Sequence, residues 1–468
     1  MYKLIFCVLF CYGFVVAEKK SPNVLFISID DLNDWVGAMN THPDIKTPNI
    51  DKLASKGMLF TNAHCQFPVC GPSRTSIFSG YRPDTLGIYN NDSNTKDANV
   101  QKMMATKNNR LLHEYFRDNG YKTMAVGKLL HKHVPEGSVD LSGGRGNFGP
   151  TPEKKVNFNS KNTVTDWNAF PETDAEMPDT KAAKWAAERL KEKHSKPFLL
   201  MVGFIRPHAP WNVPQKWWDL YDPEKITLAP YKKNDLEDVP KISRESNILS
   251  FMPQTEWAIK NNKLKQVTQS YLASVSFVDH YVGTVLDSLE ESQYKDNTII
   301  ILWSDHGYHI GEKGTFQKHS LWQRSTRVPF IISKPGILAG KTHKPVELLD
   351  IYPTLLDMCG LPSNAKNEGQ SLKPLIEGSS SHWDKVAITT YRKQLKHCKA
   401  TKTPYRENPS HGIFDERYHY IMYSDGSEEL YDLQKDPNEW SNIASSPEVK
   451  PIKKRLNKSF SKQMNSGK

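Results

Sequence analysis

The sequence predicts an α/β protein with a mostly parallel β-sheet flanked by helices, and a smaller C-terminal domain that carries an antiparallel sheet. The first observation is a set of short, apolar, β-branched runs with the length of buried parallel strands. They are Val24–Ile29, Thr123–Val126, Phe198–Phe204, Thr298–Trp303 and Pro329–Ser333. The second is that helical patterns lie between these runs, because strands that alternate with helices are typical of a sheet covered by helices.

The helices are indicated by their apolar spacing and by their terminal residues. The segment Leu111–Asn119 ends at Gly120, and Thr180–Lys193 is amphipathic and rich in Ala, Lys and Glu. The longest pattern, Val267–Glu291, repeats apolar residues at intervals of three and four. These three segments are predicted to be helices that pack on the sheet.

The composition changes past about residue 375, which is the third observation. Short strand patterns occupy Lys385–Tyr391, Tyr418–Tyr423 and Glu429–Asp432, and a helical pattern follows at Glu448–Met464. A turn rich in Ser, Asp and Gly joins the last two strands, as in an antiparallel hairpin. We therefore predict a signal peptide at 1–17, a catalytic domain at 18–374 and a C-terminal subdomain at 375–468.

The first 17 residues have the pattern of a secretion signal. Lys3 precedes an apolar run over residues 4–17, and small residues at the end of that run suit a signal peptidase. A lipoprotein signal that uses Cys11 is the alternative, although the large Phe10 precedes it. No later segment has the roughly 18 apolar residues that a bilayer span needs. We expect a secreted or periplasmic protein, or a lysosomal one if the source is an animal.

Charge and cysteine content restrict the possible partners. The chain carries 62 Lys and Arg against 52 Asp and Glu, a formal charge of +10, and a surface of this sign suits a polyanion. No nucleic-acid-binding motif is present, and we expect no nucleic-acid partner. Cleavage of the signal would leave Cys65, Cys70, Cys359 and Cys398, too few for a disulfide scaffold. Cys359 and Cys398 are a candidate pair.

The most informative segment is residues 70–80, Cys-Gly-Pro-Ser-Arg-Thr-Ser-Ile-Phe-Ser-Gly. Pro72 suits the first turn of a helix and Gly80 suits its end, so Cys70 is predicted just ahead of a helix N-terminus. Free backbone N–H groups and the helix dipole favour an anion there, and Arg74 adds a positive charge one turn away. Cys70 is thus a candidate nucleophile beside an anion site, with an ordinary buried thiol as the alternative.

Chemically active side chains follow four of the predicted strands. They are Asp30 and Asp31 after the first strand, Lys128 and His131 after the second, His208 after the third, and Asp305 and His306 after the fourth. Ligands of open α/β sheets bind beyond the carboxyl ends of the strands, so we expect these side chains to meet at one edge. The three aspartates are hard oxygen donors that suit calcium, or alternatively magnesium. His306 could be a further ligand or could position the substrate, since hard cations prefer oxygen to imidazole.

Together these residues resemble the type I sulfatases, and they are most similar to the iduronate-2-sulfatase branch. The matching motifs are Asp30-Asp31, Cys70-Gly-Pro-Ser-Arg74, Gly127-Lys128-x-x-His131, His208, Asp305-His306-Gly and Lys318. Their order and approximate spacing hold over residues 22–360, and the segment from Glu429 to Asn442 resembles the sulfatase tail motif. The resemblance implies an alkaline-phosphatase-like fold. His306 matches the iduronate branch, whereas many sulfatases carry Asn or Gln there.

The resemblance also implies a role for each residue. A maturation enzyme would convert Cys70 to formylglycine, whose hydrate attacks sulfur and binds the metal together with Asp30, Asp31, Asp305 and His306. Arg74 and Lys128 would stabilise the charged hydrate, and His131 would accept a proton when the sulfated hydrate collapses. His208 and Lys318 would bracket the sulfate, and one of them would protonate the leaving alcohol. Lys313 is a competing candidate for the position of Lys318.

We therefore expect a sulfatase that hydrolyses sulfate esters of a sulfated carbohydrate, a polysaccharide or oligosaccharide that could contain uronic acids. The long stretches Asp140–Pro178 and Trp211–Trp257 are expected to shape its pocket, because loops of this length are usually functional. Trp211, Trp217 and Trp218 are candidates for stacking on sugar rings, with a core position as the alternative. Two other functions remain open: a phosphonate or phosphodiester hydrolase with the same motif, and a non-catalytic glycan-binding relative.

Overall fold

The computed structural model describes residues 21–91, 96–379, 383–392 and 408–465. It contains an eight-stranded, mostly parallel sheet with helices on both faces and a four-stranded antiparallel sheet near the C-terminus. The predicted fold class is therefore confirmed. The predicted signal peptide, Cys11 and the candidate pair of Cys359 with Cys398 lie wholly or partly outside the described residues.

The strands and helices are numbered in chain order. The strands are β1 Asn23–Asp30, β2 Met58–Phe60, β3 Ala63–His64, β4 Lys122–Gly127, β5 Leu141–Ser142, β6 Trp167–Ala169, β7 Phe198–Pro207, β8 Trp211–Val213, β9 Thr298–Ser304, β10 Arg327–Val328, β11 Phe330–Ser333, β12 Gly340–Thr342, β13 Val346–Glu347, β14 Ala387–Tyr391, β15 Ser410–Phe414, β16 Tyr418–Met422 and β17 Glu428–Asp432. The helices are α1 Pro48–Lys56, α2 Cys70–Ser79, α3 Pro83–Leu86, α4 Asp97–Thr106, α5 Leu112–Asp118, α6 Pro178–Lys191, α7 Gln215–Trp218, α8 Lys241–Asn247, α9 Thr255–Lys260, α10 Leu264–Glu290, α11 Gln323–Thr326, α12 Ile351–Cys359, α13 Lys373–Ile376 and α14 Lys450–Asn465.

The large sheet has the strand order β12-β2-β11-β9-β1-β7-β4-β5. The five strands from β9 to β5 run parallel, and four of them, β9, β1, β7 and β4, were predicted as parallel strands. Strand β11 was expected to be parallel as well, from the run Pro329–Ser333, but it pairs antiparallel with both β9 and β2. The chain between β9 and β11 contains a 3-10 turn at Glu312–Gly314, the four-residue helix α11 and the short strand β10, and no helix long enough to cross the sheet. A strand that follows such a connection runs back beside its predecessor.

Both faces of the sheet are covered by apolar helix surfaces. Leu25, Ile27 and Ile29 of β1 join one core cluster with residues of α1, α6 and α10. Val24 and Phe26 point to the opposite face, into a second cluster with residues of α2, α4, α5 and α12. A central strand that is buried on both faces has no polar alternation, which explains why its sequence is a continuous apolar run.

The two long stretches that we expected to shape the pocket are joined to each other. Strands β6 and β8 pair in parallel and place Trp167 opposite Trp211. Trp211 is fully buried, and Trp217 and Trp218 expose less than a tenth of their surface within the core cluster that includes α10. Trp211, Trp217 and Trp218 are therefore core residues, and the prediction that they stack on sugar rings is wrong.

The C-terminal sheet has the order β14-β15-β16-β17 and is antiparallel throughout. Helix α14 packs on it through Leu456, which is buried with Ile388, Ile413 and Leu430. The predicted domain boundary between residues 374 and 375 stays a prediction. Among the described residues, no helix is long and apolar enough to cross a membrane.

Candidate active site

The four strands with chemically active ends are neighbours in the sheet, in the order β4-β7-β1-β9. Asp30 is the last residue of β1, and Lys128, His208 and Asp305 come one residue after the ends of β4, β7 and β9. Because these strands are parallel, all four side chains start from the same edge. The tight approach of β4 and β7 at this edge requires glycine at Gly127, where a Cβ atom would lie 1.8 Å from a backbone oxygen.

Helix α2 brings Cys70 to the same edge. The helix begins at Cys70 itself, so the prediction that Cys70 lies just ahead of it is off by one residue. Gly80 ends the helix with a φ of 75°, as its residue type indicated. The Ser73 hydroxyl donates to the backbone oxygen of Asp305 at 2.6 Å, and the Gly71 amide donates to Asn91 Oδ1 at 2.8 Å. The first bond fixes the first turn of α2 against the end of β9, and the second joins it to the loop that contains Asn91.

Cys70 is buried among charged and polar partners. Its Sγ lies 3.0 Å from Lys318 Nζ, 3.3 Å from His306 Nε2 and 3.8 Å from Asp31 Oδ1. Burial, together with the negative charge of Asp30, raises the pKa of the Cys70 thiol to about 12. The thiolate is the reactive form of cysteine, so the unmodified side chain is a weak nucleophile at neutral pH.

The two adjacent aspartates are ionised despite their burial. Burial opposes ionisation of Asp30, but Lys128, His208 and Arg74 outweigh it and hold the pKa of Asp30 well below its usual range. Lys128 Nζ binds Asp30 Oδ2 directly. The pKa of Asp31 is also lowered against the effect of burial, by His208 and by Lys318, whose Nζ lies 2.7 Å from Asp31 Oδ1.

The backbone of Asp31 is in the left-handed region, with a φ of 63°. Three contacts keep it there. Its amide donates to Asp305 Oδ1 at 3.1 Å, its carbonyl accepts from the Tyr271 hydroxyl at 2.9 Å, and that hydroxyl accepts from the Asn33 amide. Strained backbone that neighbours hold in place is common at functional sites. Here it turns two consecutive carboxylates toward one pocket.

Arg74 is a fully buried clamp beneath the site. Its Nε donates to Asp305 Oδ2 at 2.7 Å, and its Nη1 donates to the backbone oxygens of Lys128 and Leu129 at 2.8 Å each. Its Nη2 lies 3.4 Å from Asp30 Oδ1. The guanidinium therefore ties together the ends of β1, β4 and β9, as a planar group with several fixed donors can.

His306 has one ring nitrogen engaged and the other directed at Cys70. Its Nδ1 lies 2.9 Å from the backbone oxygen of Gly307, which makes Nδ1 the protonated nitrogen. Burial lowers the pKa of His306, so the ring is neutral. Its Nε2 is then free to act as an acceptor or as a metal ligand.

Four of the side chains proposed as metal ligands form a compact group. Ligand atoms of Asp30, Asp31, Cys70 and His306 all lie within 4.8 Å of one another. Asp305 is beside this group, but its Oδ2 binds Arg74 and its Oδ1 accepts from two backbone amides. Conversion of Cys70 to an oxygen-bearing side chain would change the donor set from two oxygens, one nitrogen and one sulfur to three oxygens and one nitrogen. That set fits a hard divalent cation better than the thiol does.

The remaining predicted residues surround this group. His208 Nε2 is 3.9 Å from Asp31 Oδ2, and burial lowers the pKa of His208 to about 4. His131 is half-buried after β4, and burial together with the positive charge of Lys128 lowers its pKa to about 3. Both rings are therefore neutral at neutral pH.

The two competing lysines, Lys313 and Lys318, make different contacts. Lys318 reaches Cys70 and Asp31, whereas Lys313 forms an ion pair with Asp235 at 3.0 Å and lies over the Trp322 ring. Of the two lysines, only Lys318 contacts the residues at the strand ends.

Some residues near the site carried no signal in the sequence. Tyr271 belongs to the apolar repeat of α10, so its hydroxyl contact with Asp31 could not be inferred from spacing. Phe148 packs against His208 with ring centroids 5.0 Å apart, and Lys128 Nζ lies 5.8 Å from its centroid. Phe148 belongs to the long stretch Asp140–Pro178, which was expected to shape the pocket. The structure places at least this residue of the stretch beside His208 and Lys128.

Comparisons with known proteins identify the family. The Sulfatase family profile matches residues 22–361, and a second profile, N-sulphoglucosamine sulphohydrolase, C-terminal, matches residues 311–466. A sulfatase of Formosa agariphila is 46% identical to this chain, and the match covers 92% of the chain and 84% of the relative. Iduronate 2-sulfatase of Mus musculus is 32% identical, over 73% of this chain and 69% of the relative. Delta 4,5-hexuronate-2-O-sulfatase of Bacteroides thetaiotaomicron is 27% identical, over 94% and 88%.

Solved structures share the fold. A protein determined with its substrate D-glucosamine-2-N,6-O-disulfate has a TM-score of 0.73 and 21% identity, and the match covers 96% of this chain and 98% of that one. The phosphonate monoester hydrolase of Agrobacterium radiobacter has a TM-score of 0.74 and 20% identity, with 96% of both chains covered. On the profile over residues 22–361 and the 46% identical relative, the chain belongs to the sulfatase family and is a sulfuric ester hydrolase.

Proposed function

We propose that this protein hydrolyses sulfate esters of a sulfated carbohydrate with a formylglycine formed from Cys70 and with a bound divalent cation. The observation that carries the proposal is the group of Asp30, Asp31, Cys70 and His306, whose ligand atoms lie within 4.8 Å of one another, with Lys318 against Cys70. This arrangement combines a nucleophile position, a cation site and a positive charge for a sulfate group. Each is needed to cleave a sulfate ester at the sulfur–oxygen bond.

The state of Cys70 supports its conversion to formylglycine. As a thiol with a raised pKa, Cys70 would be a weak nucleophile and a poor partner for a hard cation. The hydrate of formylglycine offers two hydroxyl groups, one to attack sulfur and one to lose a proton when the sulfate is released. A maturation enzyme that performs this conversion is therefore a proposed partner of the nascent chain.

A divalent cation, calcium or magnesium, would polarise the sulfate oxygens and lower the barrier to attack. Asp30, Asp31, His306 and the modified Cys70 would hold it, and Asp305 would either complete this set or continue to orient Arg74 and the backbone amide of Asp31. The carboxylates are already ionised, so they can bind the cation without first losing protons.

The lysine and histidine side chains stabilise the sulfate and transfer protons. Lys318, which contacts Asp31, and Lys128, which contacts Asp30, stabilise the anionic sulfate by their positive charge. His208 and Lys318 bracket the sulfate, and one of them protonates the leaving alcohol. His131, neutral at working pH, accepts the proton released when the sulfated hydrate collapses. Arg74 acts as a positioning residue, because its donors are used by Asp305, Asp30 and backbone oxygens.

A carbohydrate substrate is supported by relatives whose names state sulfated sugars as their substrates. Iduronate 2-sulfatase and Delta 4,5-hexuronate-2-O-sulfatase are named for sulfated uronic acids. The net charge of +10 also favours an acidic glycan over a sulfate ester of an otherwise uncharged molecule. We propose a sulfated oligosaccharide or polysaccharide, and a secreted or periplasmic location suited to such a substrate.

The test is to express the protein with a formylglycine-generating enzyme and to measure the mass of the peptide that contains Cys70 alongside the release of free sulfate. We expect an aldehyde at position 70 and sulfate release from sulfated oligosaccharides. The Cys70→Ala variant should fold normally and release none. An active enzyme that carries only an unmodified thiol would exclude the mechanism.

A phosphonate or phosphodiester hydrolase is the alternative within the same fold. Its support is the likeness to phosphonate monoester hydrolase, which is a likeness of fold alone. Turnover of p-nitrophenyl sulfate compared with p-nitrophenyl phenylphosphonate separates the two. We expect the sulfate ester to be preferred.

A further inference from the structure

Arg145 is a cation near the sulfate pocket that the mechanism above does not use. Its guanidinium carbon lies 4.7 Å from the centroid of Phe148, the ring that also packs on His208 and lies under Lys128. The guanidinium carbon of Arg145 and Lys128 Nζ are therefore at most about 10.5 Å apart, the sum of their distances to that centroid. One sugar residue with two anionic substituents can bridge such a span.

The hydrogen-bonding capacity of Arg145 is largely unused. Its Nε is buried without a hydrogen-bond partner, and its Nη1 makes a 3.3 Å bond to the backbone oxygen of the adjacent Gly146. Among the described residues, no carboxylate forms an ion pair with it, although Asp30 and Asp97 are close enough for their charges to act on it. Buried guanidinium donors are normally satisfied, so a half-buried arginine with free donors points to a missing anion.

The segment that carries Arg145 is fixed in place. The Gly127 amide donates to the backbone oxygen of Gly144 at 2.8 Å, which anchors one end to the strand that delivers Lys128. Arg206, fully buried, donates to the backbone oxygen of Phe148 at 2.8 Å and to that of His208 at 3.0 Å. The position of Arg145 relative to the pocket is therefore set by the same framework that positions Lys128 and His208, and little order has to be gained on binding.

We infer that Arg145 is a specificity-determining residue that binds a second anionic group, a carboxylate or a second sulfate, on the sugar whose sulfate ester enters the pocket. This inference rests on the proposed function. A planar guanidinium with free donors makes paired hydrogen bonds to either anion, and the contact with Phe148 keeps it beside the ring that packs on His208. The enzyme would then prefer doubly anionic sugars to esters that carry the scissile sulfate alone.

The test compares matured wild-type enzyme with Arg145→Gln on four substrates. These are a 2-O-sulfated uronate disaccharide, the same disaccharide with its carboxylate reduced to an alcohol, D-glucosamine-2-N,6-O-disulfate and p-nitrophenyl sulfate. We expect kcat/KM of the variant to fall about 10- to 100-fold on a doubly anionic sugar, the value of a charge-assisted hydrogen-bond pair, and to stay at the wild-type level on p-nitrophenyl sulfate. A loss only on the unreduced disaccharide identifies a carboxylate, and a loss on the disulfated glucosamine identifies a second sulfate.

The matched control is Lys181→Gln, which removes the same charge from the cleft of about 310 Å³ that Arg145 also lines. It should change none of the four rates. Equal losses of kcat/KM in Arg145→Gln and Lys181→Gln would mean that any nearby positive charge has this effect, and would overturn the inference. The inference would also be overturned if Arg145→Gln lost the same factor on all four substrates, or lost nothing on any of them. Wild-type enzyme that releases sulfate but is unaffected by Arg145→Gln would leave the proposed function standing. Wild-type enzyme that releases no sulfate from any substrate would remove both.

Substrate binding to the Cys70→Ala protein gives a second readout without turnover. Calorimetric titration with the doubly anionic sugar should show about 10- to 100-fold weaker binding when Arg145→Gln is added. Arg145→Lys should recover part of the loss, because it restores the charge without the paired donors. Unchanged affinity in the double variant would overturn the inference.

Discussion

Lys313 and Lys318 lie five residues apart on one loop, yet they enter two different buried clusters. The Lys318 cluster comprises Lys318, Asp31, Cys70 and His306. The Lys313 cluster comprises Lys313, Asp235, Glu439, Trp322 and Tyr431, where the lysine pairs with Asp235 and donates to the backbone oxygen of Glu439. Its Nζ lies 5.2 and 5.4 Å from the centroids of the two rings.

The two clusters differ in how their charges are satisfied. In the Lys313 cluster each charge has a partner within the protein, and Glu439 also binds His419 and the amide of Gln323. These contacts join the loops that contain Asp235 and Lys313 to β17 of the C-terminal sheet and to the segment that follows it. In the Lys318 cluster a thiol and a neutral imidazole lie beside the pair of Lys318 and Asp31, as they would around a ligand. Buried charge is costly unless it is paired, so we interpret the first cluster as a structural contact and propose the second, where groups without opposite charge also converge, as a binding site.

The largest expected effect in this comparison comes from Asp31→Asn. Loss of one of the proposed cation ligands should lower kcat/KM about 10³-fold or more, because a metal ion contributes several kcal/mol to transition-state stabilisation. The measurements are sulfate release and metal content by mass spectrometry. Wild-type enzyme dialysed against a chelator should lose activity similarly and regain it with calcium or magnesium.

Asp34→Asn is the matched control for that change. Asp34 is also buried, three residues further along, but it pairs with Arg324 and Arg327 and does not face Cys70. This variant should lose stability and retain its metal. If Asp31→Asn kept both metal and activity, the assignment of the cation site would be wrong.

The next effect is expected for Lys318→Met, which should lower kcat/KM about 10²- to 10³-fold, the range for removal of one preorganised charge from a reaction centre. The melting temperature should change little, because the bound cation would compensate Asp31 in place of the lysine. Lys313→Met should leave kcat/KM close to the wild-type value. Equal losses of activity in the two variants would remove the distinction between the clusters.

Lys313→Met should instead show its effect in stability. It leaves the carboxylate of Asp235 without its partner, and removal of one member of a buried pair costs about 3–5 kcal/mol. Urea denaturation measures the loss. The double variant Lys313→Met with Asp235→Leu should be less destabilised than the single one, since no unpaired charge remains. A double variant as unstable as the single one would argue that the lysine acts through its ring contacts.

The smallest effect is a pH dependence of stability from His309, which lies beside Trp322 of the Lys313 cluster. Its Nε2 is 2.8 Å from the Ser320 hydroxyl, and burial, with the charges of Arg324 and Lys313, holds the pKa of His309 well below 6.5. The unfolded chain therefore gains a proton below about pH 6.5 that the folded chain does not. The free energy of unfolding should fall there by up to about 1.4 kcal/mol per pH unit from this residue.

His309→Gln removes this contribution. Urea denaturation at pH 7, 6 and 5 should show a smaller decrease in the free energy of unfolding for the variant than for the wild type. The difference between the two slopes isolates His309 from the other histidines. Identical slopes would mean that His309 has the same pKa in the folded and unfolded chain.

Much of the fold could be predicted from local pattern. The five apolar runs are strands and the three long periodic segments are helices, within a few residues at each end. Strand β15 was missed because Ser410–Phe414 has one β-branched residue and a glycine at its centre. Gly412 is placed where a Cβ would lie 3.0 Å from His419, so it serves a close approach that no periodicity records. The direction of β11 and the burial of Trp211 likewise depend on distant elements.

The sequence by itself determined which strands end in acids, histidines and a lysine, because period and composition define buried strands and parallel strands share one edge. The tertiary structure decided which of two lysines contacts Cys70, that Arg74 is a clamp, and that Arg145, beside Phe148, has no carboxylate partner among the described residues. The physical reason is distance along the chain. The contact between Lys318 and Asp31 joins residues 287 positions apart, and such a contact depends on the packing of the whole sheet rather than on any local pattern.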